Sequence, residues 1–434
     1  MELLSNSEKT RQLIREQYEA DDRPWVVAYS GGKDSTLVLQ LVMELLLELG
    51  PKARKPVYVL SSDTRVEAPN VSEYVVEAMS RIENSARARN LNLHTQLVFP
   101  DIDEGFWAKM IGKGYPPPSR WFRWCTSNMK IKPSRRAIEG IVAAKGSVIL
   151  LLGSRTDESA NRAQSIQSFA NNERRLNPHH EIPDAMVFKP IVEWTTDEVW
   201  EYLASNSPAW GGSHDKIIQL YRQANGGECP IVLDLDTPSC GGSRFGCWTC
   251  TVVKQDKSME GFIATGEEWM RPLNSFRKVL IEYRDKAGMR SSVKRDGTQG
   301  QGPFTPEARK KILRELLQTE REVGWTLIHD DELAHVQKIW NVEFDYTNSE
   351  AISIAREFGR SISMPNFNAD DEREDFLEKA ALEADVPYEL LQAILGLTKN
   401  KWPSLEVHGA KTGLERDIEK ALLLAAKQVE QAAP

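Results

Sequence analysis

One segment near the N-terminus limits the possible folds more than any other. Trp25-Val26-Val27-Ala28-Tyr29 is an unbroken apolar run. Ser30-Gly31-Gly32-Lys33-Asp34-Ser35-Thr36 follows it, and Ser35–Leu49 then carries helical apolar spacing stopped by Gly50-Pro51. A run that is apolar at every position reads as a strand buried on both faces, which is the habit of parallel sheets. A strand feeding straight into a helix returns to a parallel neighbour, so a βαβ unit is expected. The alternation continues with strands at Val57–Ser61, Thr95–Phe99 and Ser147–Leu152, and with helices at Pro69–Arg81, Pro133–Lys145 and Trp194–Leu203. The expected fold class is α/β, a parallel sheet with helices on both faces.

The loop itself has the chemistry of an anion site. Its glycines let the backbone approach a phosphate closely, the N–H groups at the helix start point outward, and Lys33 adds positive charge. Ser30, Gly31, Gly32, Lys33, Asp34, Ser35 and Thr36 are therefore candidate nucleotide-binding residues. The spacing is not the G-x-x-x-x-G-K-[ST] of a Walker A loop. Ser62-Asp63-Thr64 falls at the end of the second strand. A carboxylate there can hold hydrated Mg2+ beside phosphates.

A net charge of −8 argues against a protein that holds nucleic acid by bulk charge alone. The charge is uneven, however. Pro118–Arg136 carries 6 Lys/Arg and no acid, and Arg271–Arg314 carries 12 Lys/Arg against 4 Asp/Glu. Both are candidate anion-binding surfaces, although amphipathic helix faces also explain the second. Trp121, Phe122 and Trp124 interleave with the first, either to stack on exposed bases or to pack into the core. No apolar run reaches the roughly 18–20 residues of a membrane span. The first 20 residues lack the apolar centre of a signal peptide, so a cytoplasmic protein with no membrane contact is expected.

The cysteine count is 5, an odd number that argues against a disulfide framework. Cys229, Cys240, Cys247 and Cys250 crowd into 22 residues with glycines between them. Thiolates this close wrap a soft metal centre, and zinc and iron–sulfur clusters each take four. The ligands are these four, or Cys125 takes the place of Cys229. Left out of the set, Cys125 would be a reactive thiol whose pKa Arg120, Arg123 and Lys130 depress.

The wording of these segments adds a resemblance. Ser30–Ser35, SGGKDS, resembles the pyrophosphate loop of the ATP pyrophosphatases, which split ATP between its α and β phosphates. Three further segments resemble, in the same order, the motifs of the phosphoadenylylsulfate reductase-like family. They are Arg120-Trp121-Phe122-Arg123-Trp124-Cys125 with Lys130 and Pro133, then Gly153-Ser154-Arg155-Thr156-Asp157-Glu158-Ser159 with Arg162, then Pro190 with Trp194, Val199 and Leu203. Pro238–Val253, with Asn225–Pro230 upstream, is similar to the cluster segment of the DndC-type sulfurtransferases of bacterial DNA phosphorothioation. The likeness runs from Arg11 to Lys294.

The resemblance implies an adenine nucleotide α-hydrolase-like fold that uses ATP and Mg2+. It also implies a 4Fe–4S cluster on Cys229, Cys240, Cys247 and Cys250, with Cys125 as the alternative ligand. The implied catalytic residues are Lys33, Asp34, Asp63, Cys125, Arg155 and Arg162, and Gly153 and Arg155 join the loop as nucleotide contacts. Asp34 and Asp63 would stand near Mg2+, while Arg155 and Arg162 would neutralise developing charge. The implied reaction activates a DNA phosphate by adenylation with pyrophosphate release and replaces a non-bridging oxygen with sulfur. The implied partners are DNA, a cysteine desulfurase as sulfur donor, and other subunits of a phosphorothioation complex. Competing readings are tRNA base thiolation, sulfonucleotide reduction and a non-enzymatic ATP-binding metal-cluster subunit. Reduction is weakened because no cysteine follows Cys250.

Three domains are expected within the 434 residues: a nucleotide-binding domain over 1–204, a Cys-rich iron–sulfur module over 205–260 and a helical region over 261–434. The middle stretch is short of regular periodicity. The last has helical patterns at Phe276–Lys286, Pro306–Arg321, Asp331–Val342, Glu350–Glu357, Asp371–Ala384, Tyr388–Leu397 and Glu415–Ala432. From about Asp331 onward these helices carry no chemistry, and docking of a partner subunit is the expected role.

Overall fold

The computed structural model describes residues 5–156, 176–224, 246–345 and 349–362, together with Ala381, Leu382, Tyr388, Leu390 and Leu391. Arg162, Cys229, Cys240 and most of the helical patterns beyond Asp371 lie outside the described residues. The chain divides into two compact units, Met1–Ile362 and Ser363–Pro434. The boundaries expected at 204 and 260 fall inside the first unit.

Among the described residues six strands form one sheet: β1 (Trp25–Ala28), β2 (Val57–Ser62), β3 (Leu93–Val98), β4 (Val148–Leu151), β5 (Leu176–Pro178) and β6 (Ala185–Phe188). Their order is β3-β2-β1-β4-β6-β5, parallel throughout except for β5, which runs antiparallel to β6 at the edge. The helices are α1 (Asn6–Glu19), α2 (Lys33–Leu49), α3 (Pro69–Ala88), α4 (Lys132–Lys145), α5 (Thr196–Ser205) and α6 (Asp215–Ala224). They continue as α7 (Lys257–Ala264), α8 (Arg271–Asp285), α9 (Pro306–Val323), α10 (Asp330–Glu343) and α11 (Glu350–Glu357).

The period-2 geometry of β1 explains how one apolar run serves two cores. Trp25, Val27 and Tyr29 pack with α1, α2, α3 and α5 on one face. Val26 and Ala28 pack with Ile138 and Ile141 of α4 on the other. A third core joins the segment 106–129 to helices α6–α11, and its buried rings include Trp107, Trp248, Phe276 and Trp340. Two of these indoles are anchored as buried polar groups must be. Trp107 Nε1 donates to the Leu327 carbonyl at 2.7 Å and Trp340 Nε1 to the Ile111 carbonyl at 2.9 Å.

The sheet is α/β as the alternation implied, with two additions. Strand β6 and the edge strand β5 are not visible in the apolar pattern; β5 is only 3 residues long and contains a proline. Residues 215–224, read as part of a loop-built stretch, form helix α6 instead, with Ile217, Leu220, Tyr221 and Ala224 on its buried face.

Candidate active site

The sheet changes direction at β1. Chain progress runs β1, β2, β3 to one side, then crosses to β4 on the other. The loops leaving β1 and β4 therefore diverge and open a crevice at their C-terminal ends, the usual ligand position in such sheets.

The β1 loop fills that position. Gly31 sits at φ 74°, and an added Cβ would lie 2.6 Å from Val75 Cγ2, so a side chain is excluded by both backbone and space. Gly32 is the N-cap of α2 and offers no capping side chain to the first turn, which leaves helix-start N–H groups for an external acceptor. The serines brace the loop from within. Ser35 Oγ donates to the Gly32 carbonyl at 2.9 Å and accepts from Ser30 N at 3.2 Å. The β4 loop packs directly on this turn: a Cβ on Gly153 would stand 2.7 Å from the Asp34 carbonyl carbon.

Asp34 and Arg155, both expected at the nucleotide, pair with each other. Asp34 is buried, with Arg155 Nε at 2.5 Å and Lys33 Nζ at 3.2 Å. Arg155 continues to the Trp194 carbonyl and to Thr196 Oγ1, both at 3.2 Å. The carboxylate and guanidinium thus neutralise each other and tie α2 to the β4 loop and the start of α5. A carboxylate spent on two cations is a poor Mg2+ ligand, and Asp63 is the better of the two acids. Its Oδ1 accepts from Arg65 N at 2.7 Å within a tight turn.

That turn also meets the cysteines. Glu67 forms an antiparallel bridge with Cys247, Trp248 N donates to the Val66 carbonyl at 3.0 Å, and Thr64 Oγ1 lies 3.5 Å from Cys247 Sγ. Burial pushes the Glu67 carboxyl up against the pull of Lys130, with Asp63 adding to the rise. From the far side Arg65 reaches Asp331 at 2.8 Å and Glu332 at 4.0 Å. Cys250 N donates to the Cys247 carbonyl at 3.0 Å, which closes a tight turn around the pair. Buried Arg277 of α8 clamps the same turn from behind. Its Nε donates to the Cys250 carbonyl at 2.5 Å, and its other nitrogens reach the carbonyls of Val253 and Lys254. Cys125, in the helical turn Trp124–Thr126, is half-buried against the same core.

Two thiols on one tight turn suit a soft metal ion or cluster. Among the described residues no group of three His, Cys, Asp or Glu could hold a metal ion, and the expected ligands Cys229 and Cys240 lie outside them. Trp124 resolves to the core: it stacks on Phe106 at 5.5 Å and donates to the Pro116 carbonyl at 3.0 Å. Sequence reasoning missed Glu67, Tyr221, Arg277 and Glu332. Tyr221 reaches the β1 loop, its hydroxyl accepting from Lys33 N at 3.3 Å. Arg277 had a signal, since it stands in the stripe Leu273, Phe276, Leu280 where a charge is out of place.

Residues 24–253, just over half of the chain, match the phosphoadenosine phosphosulfate reductase domain model. The chain belongs to this family. The family includes enzymes that bind nucleotides and transfer sulfur, in keeping with the loop and thiols just described. An uncharacterized protein of Methanocaldococcus jannaschii is 25% identical over 277 residues, which is 63% of this chain. The chain spans 45% of that curated relative's length. Among solved structures, the phosphate complex of phosphoadenylyl-sulfate reductase from Candida auris aligns at 17% identity and a TM-score of 0.29, covering 47% of this chain and 80% of that one. Candida glabrata FMN adenylyltransferase, solved with FMN and an ATP analog, aligns at 14% identity and a TM-score of 0.30, covering 52% of this chain and 64% of that one. No helix among the described residues is long and apolar enough to cross a membrane.

Proposed function

We propose that this reductase-family chain is an ATP pyrophosphatase that places sulfur on a DNA backbone phosphate. The observation that carries the reading is the contact of Cys247 with the β2 turn, 3.5 Å between Sγ and Thr64 Oγ1. It brings thiol chemistry to the sheet edge that also bears the nucleotide loop.

In this reading Gly31, Gly32, Lys33, Ser35 and Thr36 hold the ATP phosphates, and the Asp34–Arg155 pair keeps the helix start in place. Asp63 is the residue that would hold Mg2+, whose chemistry is to neutralise phosphate charge. A non-bridging oxygen of the DNA phosphate attacks the α-phosphorus, and pyrophosphate leaves with the electrons of the broken P–O bond. Sulfur then attacks the activated phosphorus and AMP departs with the former backbone oxygen. Sulfur received from a cysteine desulfurase arrives as a Cys125 persulfide, at the zero-valent level. Its transfer therefore consumes two electrons from a thiol reductant, which leaves as a disulfide. With Cys125 carrying the sulfur, Cys229, Cys240, Cys247 and Cys250 are the residues that would hold a 4Fe–4S cluster. Positioning and charge neutralisation supply most of the catalysis.

Replacing the loop cation tests the nucleotide assignment. Lys33→Ala is expected to lower pyrophosphate release by about 10²–10³-fold, and unchanged release would sink it. Mass spectrometry of nuclease-digested DNA from cells with and without the gene tests the product. Gene-dependent dinucleotides with sulfur in place of one backbone oxygen are expected, whereas loss of a thiolated tRNA base instead would transfer the chain to RNA modification.

A further inference from the structure

Most cations of the basic stretch 271–314 are consumed by the fold. Arg277 clamps the cysteine turn, and buried Arg309 donates to the carbonyls of Gly112 and Phe304 and pairs with Glu343. Arg271 pairs with Glu268 and Arg314 with Glu357. Four others meet at one groove of about 610 Å³ between the loop 115–122 and the segment 290–303. Arg284, Arg290, Lys294 and Arg295 line it, against the single acid Asp285. Arg290 and Lys294 form no ion pair among the described residues, and Arg290 is held at the groove wall by bonds to the Gly302 and Gln301 carbonyls at 2.7 and 2.8 Å.

The groove is built, not incidental. Segment 290–303 folds back on itself through Ser291 N to the Pro303 carbonyl and Lys294 N to the Thr298 carbonyl, both 2.8 Å. The opposite wall is fixed at Pro118, whose carbonyl accepts from Thr251 Oγ1 at 2.6 Å and from Arg284 at 3.2 Å. Thr251 follows Cys250 directly, so this wall is fastened to the cysteine turn. Aromatic rings complete the lining: Tyr115 and Phe122 stack at 6.2 Å with 10° between planes, and the Arg295 guanidinium lies 5.1 Å over Tyr115. Beside Phe122, Trp121 is 95% exposed. A large ring left so bare marks a surface that a partner covers.

Cations along a groove with stacked and exposed rings are the features by which proteins hold unpaired nucleic acid. Phosphates pair with the cations and base faces lie on the rings. A duplex buries those base faces in its own stack, so it satisfies the charge but not the aromatics. We infer that this groove binds a single strand of nucleic acid, with a base on Trp121, and leads it past the cysteine turn. The inference rests on the DNA reading above for the strand's chemical fate, but its binding is measured separately.

The test uses the full chain and a fluorescein-labelled, mixed-sequence DNA strand of about 16 nucleotides, followed by anisotropy. The single strand is expected to bind more tightly than the same sequence as a duplex. Trp121→Ala is expected to weaken strand binding on the order of ten-fold, with an unchanged melting temperature because the ring packs on nothing. Lys294→Ala is expected to weaken it and to lower the slope of log affinity against log salt by about 0.7. Tighter duplex binding, or wild-type affinity in both variants, overturns the groove. Strand binding that both variants weaken, in a protein that forms no backbone sulfur, supports the groove and removes the sulfur-transfer reading instead.

Discussion

The nucleotide loop and the cysteine turn meet the same sheet edge and are held there in opposite ways. The loop is braced from within, since Ser30, Gly32 and Ser35 bond one another across at most five residues, and Arg155 and Tyr221 reach it from outside. The cysteine turn is held by distant chain. Arg277 lies 27 residues from the Cys250 carbonyl it clamps, Pro118 lies 133 residues from Thr251, and Trp248 packs on Trp107 and Phe276 at 6.0 and 5.7 Å. A site built locally carries its geometry in a short motif. A site built from distant contacts depends on the whole core being formed.

The difference is open to direct attack. Arg277→Met removes a buried cation from three carbonyls and is expected to cost about 3–5 kcal/mol, the sum of lost charged hydrogen bonds and stranded acceptors. Urea unfolding reads the cost, and labelling of Cys247 and Cys250 by a thiol reagent should accelerate while nucleotide affinity holds. Nucleotide affinity lost in step with the thiols would abolish the distinction between the two regions.

Gly153→Ala probes the loop from its long-range side. The added Cβ meets the Asp34 carbonyl carbon at 2.7 Å, and overpacking of this kind costs about 1–3 kcal/mol. Weaker nucleotide binding with unaltered thiol labelling is the expected outcome in calorimetry and labelling. Equal damage to both readouts would show the loop to be no more self-contained than the turn.

Glu332 sharpens the boundary between them, since it approaches Arg65 of the β2 turn from α10. Burial pushes its carboxyl up to about 7, against the downward pull of the His329 N–H and Arg65, while Asp331 and Asp63 add to the rise. A carboxyl whose folded pKa exceeds its unfolded value of 4.5 contributes stability fully below that value and loses it as pH rises through about 7. The loss is on the order of 1–3 kcal/mol. Buried His214, lowered to about 4, acts with the opposite sign, so stability is lost as pH falls below 6.5. Glu332→Gln isolates the first effect: its stability relative to wild type should grow from pH 5 to pH 8 in urea midpoints. A constant difference would mean that Glu332 is not titrating in the fold.

Legibility followed the same division. The strand at Trp25, the glycine loop and the α2 stripe were readable because backbone conformation and apolar period are local properties. Strand β5 was not readable, being short and proline-bearing and defined only by its pairing with β6. Asp34 and Arg155 were recognisable as a motif, but their mutual pairing at 2.5 Å was not. Trp121, Phe122 and Trp124 looked alike in sequence, yet one is bare, one lines a groove and one is core.

The sequence by itself determined the parallel sheet and the glycine loop after β1, because apolar period and glycine placement act within a few residues. Tertiary structure alone decided which charges remain available for chemistry. A carboxylate or guanidinium is neutralised by whatever partner the fold brings to it, across 121 residues for Asp34 and Arg155 and 266 for Arg65 and Asp331.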